Sequence, residues 1–345
     1  MRIASTWSMM PVRRAVIAAP LSRFTLGATL NPLESGRAAI ASLLVMHSYP
    51  DVTTRQRQAL RAYQDYLDRN PDGAEVERVI ELDRQQPEFT TTFSDYYRKR
   101  VTPARVEKGR EMLQEHAELL GSISDRYGVP SHYLVSFWGL ETNFGGYLGK
   151  MPIPDALATL ACDERRSQFF TAELISAMRI IEAGDVSRES MTGSWAGAMG
   201  HVQFMPSTFL RYAVDGDGDG RRDLWGSLAD VIGSVANYLH RHGWAYGQPV
   251  TSRARVADGA DMERVSRRNL KPEATVAELG AAGFTPTDDV PEDLPAAVTR
   301  LREEDGDSYW LTYQNFYVIT RYNRSPLYAM AVHDLAQAIA AEYAE

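Results

Sequence analysis

The sequence predicts a mainly α protein of the α+β kind: a helical body with a small antiparallel β-containing lobe toward its C-terminal end. Two observations predict it. From Thr102 to about His242, apolar residues recur at three- and four-residue spacing between Gly and Pro breaks. Beyond Gly243 that period fades. Residues 251–293 are rich in Gly, Pro, Asp and Ala, and residues 294–320 hold the aromatic and β-branched run Tyr309-Trp-Leu-Thr-Tyr-Gln-Asn-Phe-Tyr-Val-Ile319.

Taken in order, residues 1–50 read as a poorly defined leader. Arg13-Arg14 followed by Ala15-Val-Ile-Ala-Ala19 looks like the start of a signal peptide. Pro20 and Arg23 break the apolar run short of the usual stretch of about 7–15 residues, and no early Cys offers a lipid attachment site. A polar helix is expected over 53–67 and a short one over 75–84, separated by the turn residues Asn70-Pro-Asp-Gly73. Thr102-Pro103 supplies an N-cap and a first-turn proline for one helix running to about Tyr127, with His116 as a core or boundary residue. The next helix starts at Pro130–Ser131 and stops at Gly145–Gly146. Phe169, Phe170, Leu174, Ile175, Met178 and Ile181 mark another, ending at Gly184. The small residues of Gly193-Ser-Trp-Ala-Gly-Ala-Met-Gly200 imply close approach by backbone or ligand. Helices follow over about 206–214 and 227–242. The β-containing lobe is expected over 251–322, and an Ala-rich helix from about Leu327 to Tyr343 closes the chain, within a final segment 323–345.

Composition limits the function. With 345 residues and 44% hydrophobic content, the chain can bury a sizeable core. A net charge of −8 argues against a nucleic-acid or anionic-membrane partner held by bulk electrostatics. The lone Cys162 rules out an intramolecular disulfide framework and a CxxC metal site, and beside Leu160 and Ala161 it reads as a small buried hydrophobe. No run of about 18 apolar residues is present to span a membrane.

The chemistry centres on Glu141. Leu134, Phe137 and Trp138 precede it by seven, four and three residues, which puts its carboxylate on the apolar side of a helix rather than toward water. Its place in the last turn adds the negative end of the helix dipole. Both effects disfavour the charged form and raise the pKa, as cleavage of a glycosidic bond requires of its acid. The blander reading is a Glu that reaches out of the helix end into solvent.

A second signal is Asp215-Gly-Asp217-Gly-Asp219-Gly220. Oxygen donors at positions 1, 3 and 5 with Gly at 6 reproduce the first half of a calcium loop. Position 12 is Gly226 instead of Glu, and Asp230 could close the site from the next helix. The alternative is a solvated acidic turn.

Together these blocks resemble the lytic murein transglycosylases of the membrane-bound B type. The blocks are Gly128-Val-Pro130, Trp138-Gly-Leu-Glu-Thr-Asn-Phe-Gly145, Ala156-Leu-Ala-Thr-Leu-Ala161 with Arg165-Arg166, Gly193–Gly200, Gln203-Phe-Met-Pro-Ser207, the Asp-Gly run, Gly233-Ser-Val-Ala-Asn-Tyr238 and Tyr317-Val-Ile-Thr-Arg-Tyr-Asn323. The resemblance spans roughly Val79 to the C-terminus. It implies a lysozyme-like helical catalytic domain over 51–250, with the closing helix packed back on it. It implies cleavage of the MurNAc-β-1,4-GlcNAc bond of peptidoglycan without water, giving a 1,6-anhydro-MurNAc end. Glu141 matches the family's acid/base. Ser194, Gln203, Tyr322 and Asn323 match positions lining the saccharide cleft, and Arg165 and Arg166 a basic pair on the peptide side. The family's calcium loop matches Asp215, Asp217, Asp219, the Arg221 carbonyl and Asp230. The resemblance therefore implies a structural Ca2+, no cofactor for the chemistry, glycan strands as partners alongside cell-wall synthesis or remodelling proteins, and a periplasmic location. Competing readings are a muramidase that hydrolyses the same bond and a non-catalytic peptidoglycan-binding protein. A hydrolase needs a second carboxylate about 5–9.5 Å away. Asp155 and Asp163 are the candidates, both in polar, turn-like sequence.

Overall fold

A computed structural model describes residues 79, 82, 91–162, 167–266 and 270–341. The helices expected at 53–67 and 75–84 lie outside these residues, except for helical Val79 and Leu82. Eleven α-helices and seven short strands make up the described chain.

Thr102 accepts a hydrogen bond from Arg105 N and opens α2 (Pro103–Glu115) behind a short α1 (Phe93–Arg100). The single helix expected to reach Tyr127 is two. His116 leaves the helical well (φ −112°, ψ 24°), and α3 (Ala117–Tyr127) begins after it. At this step the imidazole lies 6.0 Å from the Trp138 ring. Gly128 caps α3 at φ 67°, a left-handed conformation that favours glycine.

Helix α4 (Ser131–Thr142) is the centre of the molecule. Every residue from Tyr133 to Leu140 is buried, so it lacks a polar face and is walled by α2, α3, α8 and α11. It stops at Thr142, earlier than the glycines suggest, because Asn143 and Phe144 take φ values of 52° and 59°. Gly139 makes that reversal possible: a Cβ there would sit 2.6 Å from the Phe144 ring folded back over it.

A two-stranded ribbon of β1 (Met151–Pro152) and β2 (Thr192–Gly193) flanks α5 (Ile153–Cys162) and α6 (Ser167–Ala183). Helices α7 (Pro206–Tyr212) and α8 (Leu228–Arg241) follow, the latter capped by Ser227. The lobe is a five-stranded antiparallel sheet in the order β4-β6-β7-β3-β5. Its strands are β3 (Thr251–Val256), β4 (Ala274–Thr275), β5 (Phe284–Pro286), β6 (Pro295–Glu303) and β7 (Gly306–Thr312). Phe284, Val298, Leu311 and Tyr313 belong to its own small core, which also holds Val276 and Leu279 of the capped helix α9 (Val276–Ala281).

The aromatic run is strand only to Thr312. Residues 314–322 form α10 (Gln314–Tyr322), which buries Phe316, Val318 and Ile319 in the main core. Strand propensity loses here to burial against α11 (Pro326–Ala340), a helix capped by Ser325.

Candidate active site

Glu141 stands at the end of α4, where the buried helix meets open space. Its side chain keeps a partly exposed edge, and the carboxyl is otherwise enclosed by protein. Burial pushes its pKa up to about 7, opposed by the hydroxyl of Tyr328 and more weakly by the positive charge of Arg100. The hydroxyl donates to Glu141 Oε1 from the first turn of α11.

Tyr322, at the end of α10, stacks parallel to Tyr328 with centroids 6.5 Å apart and rings within 5°. It also lies against Phe137 (4.9 Å) and edge-on to Tyr238 (5.0 Å). Burial and the neighbouring Glu141 charge both push the two phenols well above the ordinary tyrosine range, so they act as fixed donors. Tyr322 donates its proton to the carbonyl of Val202. A second bond fixes the backbone of α10: Tyr238 donates to the Arg321 carbonyl at 2.6 Å.

The loop 193–204 is fastened to the Glu141 helix from the other side. Trp138 Nε1 donates to His201 Nδ1 (2.9 Å), and the Thr142 hydroxyl donates to the His201 carbonyl (2.8 Å). Within this loop Ser194 Oγ accepts from the amides of Ala198 (3.0 Å) and Ala196 (3.3 Å). Gln203 holds a left-handed backbone (φ 50°), and its amide donates to the carbonyls of Gly200 (2.9 Å) and Leu148 (3.3 Å). Asn323 is exposed and turns back, accepting from Ser325 N at 3.0 Å. Contacts thus gather Glu141, Tyr322 and Tyr328 into one cluster and hang the Ser194–Gln203 loop on Tyr322 and Trp138. Asn323 follows Tyr322 in the chain but makes none of these contacts. Arg165, Arg166 and Asp163 lie outside the described residues, as does the side chain of Cys162. Asp155 begins α5 and faces Arg188 at 3.9 Å.

Two contributors escaped the sequence reading. Tyr328 is a lone phenol in an Ala-rich helix, and only the Ser325-Pro326 start marks its position in the first turn. His201 falls between two legible blocks, the small residues of Gly193–Gly200 and Gln203–Ser207.

In the Asp-Gly loop, Asp215, Asp217 and Asp230 bring one carboxylate oxygen each to within 4.8 Å of one another. Asp230 is fully buried, accepts from the amides of Gly216 (2.7 Å) and Asp223 (2.6 Å), and its pKa is raised by that burial and by the charge of Asp217. A buried carboxylate beside a second one fits a cation and is costly without it. Asp219 lies outside this trio, its Oδ1 accepting from Arg221 N at 2.8 Å.

The helical body and its side lobe of antiparallel sheet are those of the lysozyme-like lytic transglycosylase folds. Residues 48–337 match the family described as Transglycosylase SLT domain, and the chain belongs to that family. It is 40% identical over 246 residues to membrane-bound lytic murein transglycosylase B of Escherichia coli (strain K12), covering 71% of this chain and 66% of that relative. Lytic transglycosylase SltB1 of Pseudomonas aeruginosa superposes with a TM-score of 0.75 at 37% identity, covering 85% of this chain and 98% of the other. SltB3 of the same organism, solved with NAG-anhNAM-pentapeptide, gives 0.73 at 34% identity, covering 89% and 79%. Slt35 of E. coli, solved with calcium, gives 0.73 at 34% identity, covering 90% and 94%. No described helix is long and apolar enough to cross a membrane.

Proposed function

We propose that this chain is a peptidoglycan lytic transglycosylase that cleaves the MurNAc-β-1,4-GlcNAc bond with Glu141 as its single acid/base. The observation that carries the reading is the Glu141 carboxyl, pushed up to about 7 by burial while its ionised form still receives the Tyr328 hydroxyl. Such a group gives its proton to the leaving GlcNAc oxygen as the C1–O bond breaks. As carboxylate it then takes the proton of the muramic acid C6 hydroxyl as that oxygen bonds to C1, closing the 1,6-anhydro ring. No water is consumed, so no second carboxylate is required. The charge felt at Glu141 is that of Arg100, a cation. Family membership supports the same reading, as does the NAG-anhNAM-pentapeptide held by SltB3.

Ser194, Gln203, Tyr322 and Asn323 line the saccharide cleft in this proposal, and Arg165 and Arg166 face the peptide. Asp215, Asp217 and Asp230, with Asp219 and the Arg221 carbonyl, hold a structural Ca2+, a role supported by the calcium complex of Slt35. Residues 51–250 act as the catalytic domain, 251–322 as the side lobe, and 323–345 as the closing segment. A peptidoglycan substrate places the enzyme in the periplasm.

Mass spectrometry of purified cell wall digested by wild type and Glu141→Gln tests this. Anhydro-muropeptides from the wild type alone are expected. Hydrated reducing ends would make the protein a muramidase, and no product from either would leave a binding protein.

A further inference from the structure

Tyr147 follows Glu141 by one and a half helical turns' worth of chain, and its side chain stands in the open. At 68% exposure it exceeds every other large apolar side chain among the described residues except Tyr246. The aromatic just before it in sequence behaves differently: the Phe144 ring folds back on Trp138, with centroids 5.6 Å apart. The Tyr147 side chain makes no hydrogen bond or ring contact with any described residue.

The backbone beneath this ring is braced from both sides. Gly145 N donates to the Thr142 hydroxyl (3.1 Å) and Tyr147 N to the Thr142 carbonyl (3.1 Å), so the chain turns directly off the end of α4. On the other side the Leu148 carbonyl accepts from the Gln203 side chain at 3.3 Å. Gly149 runs so close to the loop 193–204 that a Cβ there would sit 2.1 Å from the Gly193 carbonyl oxygen and 2.8 Å from Ser194 N. Tyr147 therefore rides a short bridge from the residue beside Glu141 to the loop that holds Ser194 and Gln203.

A phenol ring offers a flat, electron-rich apolar face and a polar edge. A β-1,4-linked pyranose matches it. The axial C–H bonds at C1, C3 and C5 make one sugar face apolar, while the hydroxyls point outward near the ring plane. The lactyl ether that carries the muramic acid peptide is equatorial too, so the peptide leaves that face free. We propose that Tyr147 is a sugar-stacking residue, whose ring receives the apolar face of one pyranose and so reads the glycan rather than the stem peptide. The identity of the strand rests on the transglycosylase reading. Because the backbone is already ordered, the stack adds affinity at little entropic cost.

The probe is chitotetraose, a peptide-free β-1,4-linked GlcNAc tetramer, titrated into the full-length Glu141→Gln chain with isotope-labelled tyrosine rings. Tyr147→Phe identifies the Tyr147 signal by its loss. That signal is expected to shift with the tetramer and to show nuclear Overhauser contacts to the axial sugar protons. Tyr147→Ala is expected to weaken binding about tenfold, while Tyr147→Phe and Tyr147→Trp stay within about twofold, since the contact needs a ring. An exposed side chain can be truncated without moving the melting temperature, and the ring contacts read on the parent chain decide the matter even if it moves. A Tyr147 signal that ignores the tetramer, or Tyr147→Ala binding as tightly as the parent, would overturn the proposal. Neither readout needs catalysis. A wild type that yields no anhydro product while Tyr147 touches the sugar would sink the activity and leave the stack standing, and anhydro product with a silent Tyr147 would do the reverse.

Discussion

The Tyr328 hydroxyl donates a hydrogen bond to Glu141 Oε1 across 187 residues of sequence. Burial drives the carboxyl toward its neutral form and this bond pulls it toward the ionised one, leaving a value of about 7. Both protonation states are then accessible at neutral pH, which a group acting first as acid and then as base requires. Tyr328 itself is held well above the ordinary tyrosine range, so its proton stays in place while Glu141 exchanges.

Tyr328→Phe removes the bond that favours the carboxylate, so the Glu141 pKa rises further. The alkaline limb of the pH–rate profile moves to higher pH, and the rate at neutral pH falls on the order of tenfold as the weaker acid gives up its proton to the leaving oxygen less readily. Rates of cell-wall digestion between pH 5 and 9 check this. An alkaline limb displaced to lower pH would contradict it.

Glu141 also costs stability. Its folded pKa lies above the ordinary value of 4.5, so the folded state binds more protons between the two values. Stability is therefore lost as pH rises from about 4.5 through about 7, and stays low above that. Glu141→Gln keeps an acceptor for Tyr328 without the charge. With the partly exposed edge taken into account, the variant should gain about 1–3 kcal/mol at pH 8 and almost nothing at pH 4. Urea unfolding at the two pH values measures the difference, and an equal effect at both would refute this account.

The Asp-Gly loop gives a third prediction. Calcium at about 100 times its dissociation constant should add roughly 2.7 kcal/mol of stability, and EDTA should remove it. Asp230→Asn is expected to abolish the calcium response, since Asp230 is the buried member of the trio. Asp219→Asn should weaken it less, because Asp219 lies outside the three converging carboxylates. Thermal melts with and without calcium decide between these outcomes.

Legibility in the sequence followed the locality of the signal. Thr102-Pro103 and Gly128 act within a few residues, and each caps a helix where local chemistry puts it. The raised carboxyl of Glu141 was also legible, although the reason is broader than one apolar face: α4 is buried all round. Tyr328 was not, because its meaning comes from a helix start docking beside α4, a contact between distant segments. The strand reading of 313–319 failed for a related reason. Aromatic and β-branched residues suit either a strand or a buried helix, and packing against α11 chose the helix.

Glu173, buried on α6, carries the last prediction. Its carboxylate accepts from the Ser207 amide (2.8 Å) and the Ser207 hydroxyl (2.6 Å), fixing the first turn of α7, which begins three residues after the left-handed Gln203. Glu173→Ala would strand both donors in a buried setting, at a cost of about 2–4 kcal/mol. Glu173→Gln keeps one carbonyl acceptor and should recover about half of that loss. If the loop 193–204 positions sugars, Glu173→Ala also raises KM for glycan strands more than it lowers kcat, because it loosens Gln203 while leaving Glu141 and Tyr328 in place. Urea midpoints and steady-state kinetics on the two variants test both halves. A stable Glu173→Ala protein with unaltered KM would show that this carboxylate supports neither the helix nor the cleft.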